Sequence, residues 1–540
     1  MNQESEQISD PTAEATATGL KAKAIALITR MRIRIPEFKP NLASLARFKP
    51  IKFNFRLNSG CDSLSKARFL GVALVIASLL YLIGVPLTQP YLVKLWQLAP
   101  VWLVPLLTVP LLLTLAKKET ESWVKKIALL SGTAIAGATL CAFMLLANTA
   151  PWFVQSQMAA SLKPINLTEI PQTENLRILG QGTASWYLHS KNPDNRLETV
   201  GLPQLVRERQ SDGSYSMWWQ GAYSFKTGRL SSWIPRLLGS TQSILRINAS
   251  ELEMSNEGNS GANTKFVFGE ESLFTETLFR WHHPFSQRAE ATYYRSDDDK
   301  WSLLIPYISY SPTITGTMLP VLGGVMQVNQ WGWVTDYTVE DASRLFPGSV
   351  LYPSVLARQY GEAYGHYRTG LLNVWINESG INQISEDTPK AGENQQPYIQ
   401  SFDMGTKGHA LQEVIALEPA GKQSFALAEL LFFDAQSGKT HVYKVPLTSG
   451  LNGPRRALKQ ATNADPETDW FSYSIQEPRL LIRTNSNTVK KSWLMTEVKN
   501  EGDDHTAVRL IITDMETLKT LSFSSRSELE KFISGGTVAP

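Results

Sequence analysis

Seven histidines, two acidic runs and several tryptophan pairs are the residues of this 540-residue chain whose types and spacing could do chemistry. The histidines are His189, His282, His283, His366, His409, His441 and His505. A zinc site needs ligand spacings such as H-x-x-x-H, and none occurs; adjacent His282 and His283 would point to opposite faces of a strand. Tyr364 and His366 could share a ligand only if AYGHYR is extended. Glu270 and Glu271 could supply a carboxylate for glycoside hydrolysis, a reaction that depends on carboxylate separation in space. Asp297, Asp298 and Asp299 lack the spaced ligands of a calcium loop and read as a solvated hairpin turn. SGKT at 437–440 ends like a phosphate-binding loop, but Phe433 stands where its first glycine belongs. No catalytic residue, cofactor site or metal site is therefore assigned, and the reading leans away from an enzyme.

The aromatic residues offer a different chemistry. Trp218 with Trp219, Trp281, and Trp331 with Trp333 lie in or beside predicted strands, and period-two spacing puts Trp331 and Trp333 on one face. Exposed, such rings form a platform for protein or sugar; buried, they are sheet core. These five are the candidate binding surface.

The elements that must position them are short β-prone runs, at 214–228, 300–312, 324–337, 371–380, 426–446, 492–498 and 507–514, rich in β-branched and aromatic residues. Helices interrupt the strands. Thr338 with Asp341 makes a capping-box-like start, and Gly348 stands where that helix would end. Pro353 opens another, with Leu356, Tyr360 and Tyr364 on one stripe, and Ser525 with Glu528 opens a last short one. The class is α+β, mainly antiparallel sheet with short helices. Polar segments at 256–264, 385–396 and 451–467 read as linkers. They divide the region into α+β domains at 148–260, 261–395 and 396–540.

One internal echo is visible. FFDAQSGKTHVYKV (432–445) and ITDMETLKTLSFSS (512–525) share an Asp, a four-residue gap and Lys-Thr, with Asp434 and Asp514 80 residues apart. Each predicts a hairpin whose Asp accepts backbone N–H bonds across the turn. AYSFKTGRLSSW is a looser third version. The DAQSGK turn with its flanking strands resembles the hairpin of PepSY-type periplasmic domains, over about 15 residues. That resemblance implies a small α+β module that binds other proteins without catalysis.

Three apolar runs without charge, 69–88, 97–116 and 127–147, predict three transmembrane helices, since about 20 apolar residues cross a bilayer core. Residues 20–68 are rich in Lys and Arg against only Glu37 and Asp62, and Lys117, Lys118, Lys125 and Lys126 lie between the second and third runs. The positive-inside rule then makes 1–68 a cytoplasmic basic arm, partly disordered, and sends everything after 147 outside. Of 52 Lys and Arg, 17 precede residue 148, and of 49 Asp and Glu, eight do, which leaves 35 basic and 41 acidic residues outside. This mild acidity disfavours nucleic acid as a partner. The two cysteines, Cys61 and Cys141, both precede residue 148, so the exported region has no disulfide, as expected of a bacterial periplasm.

The expectation is a bacterial inner-membrane protein, membrane-anchored α+β, N-terminus cytoplasmic and C-terminal region periplasmic. It would serve as a structural or assembly component of a cell-envelope complex, binding envelope proteins, with a homo-oligomer as a further partner. The alternatives are a membrane-anchored envelope hydrolase and an accessory subunit of a channel or transporter.

Overall fold

The structure is a computed structural model that describes residues 71–72, 74–76, 78, 80–106, 110, 123–192, 196–226, 239–252, 265–296, 298–386, 395–405, 408–421, 426–446, 448–485, 488–501 and 504–534. The basic arm, the linker at 256–264, most of the linker at 385–396, and the apolar run beyond 106 except Pro110 lie outside the described residues. In chain order the helices are α1 (Val85–Gln97), α2 (Trp123–Thr149), α3 (Pro151–Ser161), α4 (Gln181–Ser190), α5 (Leu273–His282), α6 (Val339–Leu345), α7 (Ser354–Tyr367), α8 (Leu371–Ile376), α9 (Pro454–Ala464) and α10 (Arg526–Ile533).

Among the described residues two helices, Leu74–Gln97 and Ser131–Thr149, are long and apolar enough to cross a membrane, where three were expected. The first continues past 88 for a reason written in its prolines. A π-helical turn, Leu80–Gly84, leads into α1, which carries Pro86 in its first turn and Pro90 inside. Neither proline has an N–H, so the carbonyls of Leu82 and Pro86 lose their α-helical donors. Side chains of α5 replace them: Trp281 Nε1 donates to Leu82 O at 3.0 Å and Arg280 Nη1 to Pro86 O at 2.5 Å. Gln89 Nε2 donates to Ser286 O at 2.5 Å, and Trp96 packs on Phe285 with ring centroids 5.5 Å apart. At the end of α2, Asn148 Nδ2 donates to Gly316 O at 3.0 Å while its Oδ1 accepts from Met318 N at 2.8 Å.

The rest is α+β with mainly antiparallel sheet. After β1 (Ile165–Leu167), β2 (Leu197–Arg209), β3 (Tyr215–Phe225) and β4 (Ser243–Asn248) form a meander. A second sheet holds β5 (Gln287–Arg288), β6 (Thr292–Arg295), β7 (Trp301–Pro312), β8 (Met318–Asn329) and β9 (Val334–Tyr337), centred on the long β7–β8 hairpin. A third holds β10 (Asn382–Ile384), β11 (Tyr398–Ser401), β12 (Leu411–Pro419), β13 (Glu429–Asp434) and β14 (Thr440–Lys444). There β1 joins β14, in parallel. The fourth is β15 (Tyr473–Asn485), β16 (Thr488–Glu501), β17 (Asp504–Asp514) and β18 (Thr520–Phe523), in that order.

The echo in the sequence is a duplicated module. In β12–β13, Gln412 faces Asp434 and Glu413 faces Phe433; in β16–β17, Ser492 faces Asp514 and Trp493 faces Thr513, the same register 80 residues on. Both turns close alike. Asp434 Oδ1 accepts from the N–H groups of Gln436 and Ser437 at 3.0 and 2.9 Å, and Asp514 Oδ1 from those of Glu516 and Thr517 at 3.0 and 2.7 Å. Each turn then needs a left-handed residue, Gly438 in one and Leu518 in the other.

Alternation along the strands splits each module between two cores. Val414, Ala416, Leu430 and Phe432 face a cluster shared with Leu480, Ile482, Trp493 and Met495 of the second module and Ala457 and Ala461 of α9. Ile415, Leu417, Leu431 and Phe433 face α3 and α7, where Leu356, Tyr360 and Tyr364 form the expected stripe. The outer face of the second module, with Leu481, Leu494, Leu510 and Ile512, packs on α4 and the β2–β4 meander.

Thr338 and Ser525 cap α6 and α10, accepting from the N–H groups of Asp341 at 3.2 Å and Glu528 at 3.3 Å. The predicted strand at 371–380 is instead the short helix α8. Gly370, at φ +95°, redirects the chain, and Asn373 Nδ2 donates to Thr369 Oγ1 at 2.7 Å and to Ser379 O at 2.6 Å, closing the segment on itself.

Candidate functional site

The most unusual chemistry lies where β15 breaks step. Its register with β16 shifts between Gln476 and Arg479, and Glu477 takes φ +48°, a conformation that side chains rarely adopt. The bulge aims Glu477 at the start of α4. Glu477 Oε1 accepts from Gln181 N at 2.8 Å, supplying the N-terminal cap that Gly180 lacks, and Thr183 Oγ1 donates to Gln476 Oε1 at 3.0 Å. A Cβ on Gly180 would lie 3.0 Å from Glu477 Oε1, so the close approach requires glycine or a shift of the carboxylate.

Two buried arginines share that one carboxylate. Arg177, 4% exposed, ion-pairs with Glu477 through Nη2 and lies over the Trp219 ring at 5.3 Å. Arg479, 1% exposed, reaches Glu477 only at 3.9 Å and donates from Nη2 to Thr496 Oγ1 at 2.6 Å. Its Nε and Nη1, and Nε of Arg177, have no hydrogen-bond acceptor among the described residues. Burial, and then repulsion from Arg177, holds Arg479 down to about 9 despite Glu477; burial lowers Arg177 as well. Tyr398 beside them is pushed well above its ordinary value by burial and is neutral.

A cavity of about 260 Å³ adjoins this cluster, lined by Arg177, Trp219, Tyr398 and Glu477 together with Ser354 and Val355 of α7. No side chain caps the N-terminus of α7. Ser354 Oγ donates to Glu413 Oε1 at 2.6 Å, and burial pushes Glu413 up to about 8, so it stays protonated at neutral pH. Arg358 is matched by Glu386 and Glu362. Glu290 lies on the cavity wall.

The tryptophans of the sequence reading occupy different settings. Trp219 is core, donating from Nε1 to Leu179 O at 3.0 Å, and Trp218 is half-buried, donating to Ser216 Oγ at 2.7 Å. Trp281 clamps the π turn before α1. Trp331 and Trp333 are each 75% exposed, not on a strand but in the β8–β9 turn. Gly332, at φ +90°, lets the chain reverse, and Asn329 Oδ1 accepts from the N–H groups of both tryptophans at 2.9 Å.

His282 and His283 end α5 rather than sitting in a strand, and both face Asp336, at 3.8 and 2.9 Å. His366 lies on α7, so the extended pairing with Tyr364 does not form. Glu270 is pushed up to about 7 by burial, against the pull of Arg288 at 3.7 Å. Asp299 pairs with Arg295 at 2.7 Å, and Asp297 lies outside the described residues. Among the described residues, no three His, Cys, Asp or Glu side chains are placed to hold a metal ion.

The chain matches no protein-family profile and no curated protein.

The arginine cluster escaped the sequence reading because Arg177 and Glu477 are 300 residues apart. Its only local sign is Glu477-Pro478 interrupting a β-prone run.

Proposed function

We propose that the protein is an inner-membrane-anchored structural or assembly component of a bacterial cell-envelope complex, acting by protein binding through a periplasmic region. The observation that carries this reading is the distribution of exposed apolar side chains. Nearly all of the apolar surface of Ser131–Thr149 is uncovered. Around the helix ends the sheet region adds more. Ile314 is fully exposed at the tip of the β7–β8 turn that Asn148 clasps. Leu372, Trp375 and Ile376 of α8 are exposed, with Trp375 5.0 Å from Trp152 at the start of α3, and Phe285 is exposed beside Trp96. A patch of this kind at the ends of two apolar helices suits the interfacial layer of a bilayer, with aromatic residues at headgroup depth. Trp331 and Trp333, rigid and amphipathic on a tight turn, are the contact we assign to a protein partner.

Site-directed spin labels on a chain with Cys61 and Cys141 replaced by serine test the anchor, using full-length protein in lipid nanodiscs. Labels at Leu140 and Ile314 should be open to oxygen and shielded from a water-soluble nickel relaxant, and a label at Phe471 should be open to nickel. Nickel access at Leu140 would refute the anchor. A photo-crosslinking side chain at Trp331 should capture envelope proteins in stoichiometric amount in cells, and Trp331→Ala with Trp333→Ala should release them. A monomer recovered without partners would overturn the assembly role.

A further inference from the structure

We infer that the cavity above Arg177 and Glu477 is a binding site for a small carboxylate, either a free organic acid or the C-terminal carboxylate of a peptide. The inference names a ligand for the sheet region and stands whether or not the membrane reading holds.

The argument begins with a charge imbalance. Two guanidinium groups, each nine-tenths or more buried, face one carboxylate, since Tyr398 is neutral and Glu413 is protonated. A buried cation without a full counter-charge is among the costlier arrangements in a protein interior. Nε of Arg177 and Nε and Nη1 of Arg479 also lack an acceptor among the described residues; they are themselves enclosed, so an incoming anion would meet the cluster through Arg177, which lines the cavity. The protein has half-solved the same problem itself, because Glu477 serves as the anion for the N-terminus of α4. The 14-residue helix α7 also lines the cavity, with Ser354 and Val355 of a first turn that no side chain caps. Helix N-termini favour anions through their free N–H groups and dipole. The cavity therefore offers Arg177 and an uncapped helix to whatever enters.

Size and lining narrow the class. About 260 Å³ is below the usual range for a drug-sized ligand and suits an acid of a few heavy atoms. Trp219 and Tyr398 give flat apolar walls for a short carbon chain. Glu290 on the wall disfavours a multiply charged phosphate and tolerates a single carboxylate whose other end is neutral or cationic. The backbone strain at Glu477 belongs to the same construction, since a regular strand would carry its carboxylate away from α4 and Arg177.

Isothermal titration of the full-length protein in detergent micelles tests this with three probes: acetate, N-acetylglycine and N-acetylglycinamide. The carboxylates should bind and the amide should not. Acetate matching N-acetylglycine would identify a free acid as the ligand, and N-acetylglycine binding about tenfold more tightly would identify a peptide C-terminus. Arg177→Gln should abolish binding. Because that change strips Glu477 of its partner and could unfold the site, Val355→Trp provides the second test. It fills the mouth from a half-exposed position, leaves the ion cluster intact, and should remove binding with an unchanged melting temperature. Absence of binding by either carboxylate at up to about 10 mM, equal binding of the amide, or undiminished binding to the Val355→Trp protein would each overturn the inference.

Discussion

The two copies of the hairpin module share a register and a turn, yet they carry different side chains at several matched buried positions. The first buries both faces, between α7 on one side and the second module on the other, and its strands still carry Gln412, Glu413, Glu418, Glu429 and His441 in fully buried positions. At the places equivalent to Glu413, Glu418 and His441, the second module has Trp493, Val498 and Leu521. The turn aspartates differ in the same way. Asp434 is buried and also accepts from His409 N and Nδ1, both at 2.9 Å, while Asp514 is half-exposed and Val489 stands where His409 would be. A matching hairpin, buried on both faces in each module, thus takes ionisable side chains at these positions in one setting and apolar ones in the other. What surrounds the strands decides which.

The largest test of this contrast swaps the left-handed turn residue. A Cβ on Gly438 would lie 2.2 Å from the Tyr352 ring, at φ +72°, so Gly438→Leu should destabilise by about 3 kcal/mol or more in urea unfolding. If it is tolerated, the two turns are equivalent and the contrast is false.

Next in size are the aspartates. Asp434→Asn should cost about 2 kcal/mol, since it weakens charge-assisted bonds at a buried site, and Asp514→Asn only about 0.5 kcal/mol. Their pH signature sharpens the point. Although burial raises Asp434, its bonds to His409 hold it at about 2, below its unfolded value. The stability it contributes is therefore present above about pH 4 and lost as pH falls through 2. Asp434→Asn should remove that acid sensitivity in a melting series.

Glu413 works in the other direction. Its folded-state value of about 8 exceeds the unfolded one, so the native state binds the extra proton and stability falls as pH rises from about 4.5 to 8. Glu413→Gln should flatten this slope and raise stability by at least about 1 kcal/mol at pH 9, with little effect at pH 4. An unchanged slope would show that Glu413 ionises freely.

The smallest expected effect is a gain. Leu518 carries φ +60°, and Leu518→Gly should stabilise by about 0.5 kcal/mol as relief of strain slightly exceeds the entropy lost.

Much of the local architecture was legible in the chain. Thr338 and Ser525 as caps, the Leu356, Tyr360 and Tyr364 stripe, and the paired Asp turns all follow from rules that act within a few residues, and the structure forms each of them. The finer placements have equally local causes. Period-two spacing puts Trp331 and Trp333 on one face in or beside a strand, and Asn329 and Gly332 set them beside it, in a turn. The segment 371–380 has β-prone composition, yet Gly370 and the Asn373 side chain wind it into α8.

The sequence by itself determined the α+β class, the turn chemistry and the duplication, because each is encoded by the order of neighbouring side chains. Only the tertiary structure decided that Arg177, Trp219, Ser354, Tyr398 and Glu477 share one cavity, that the prolines of α1 are answered by α5, and that Glu413 is kept protonated. Those outcomes depend on which distant segments exclude water together, and desolvation is a property of the assembled neighbourhood that no single stretch of chain contains.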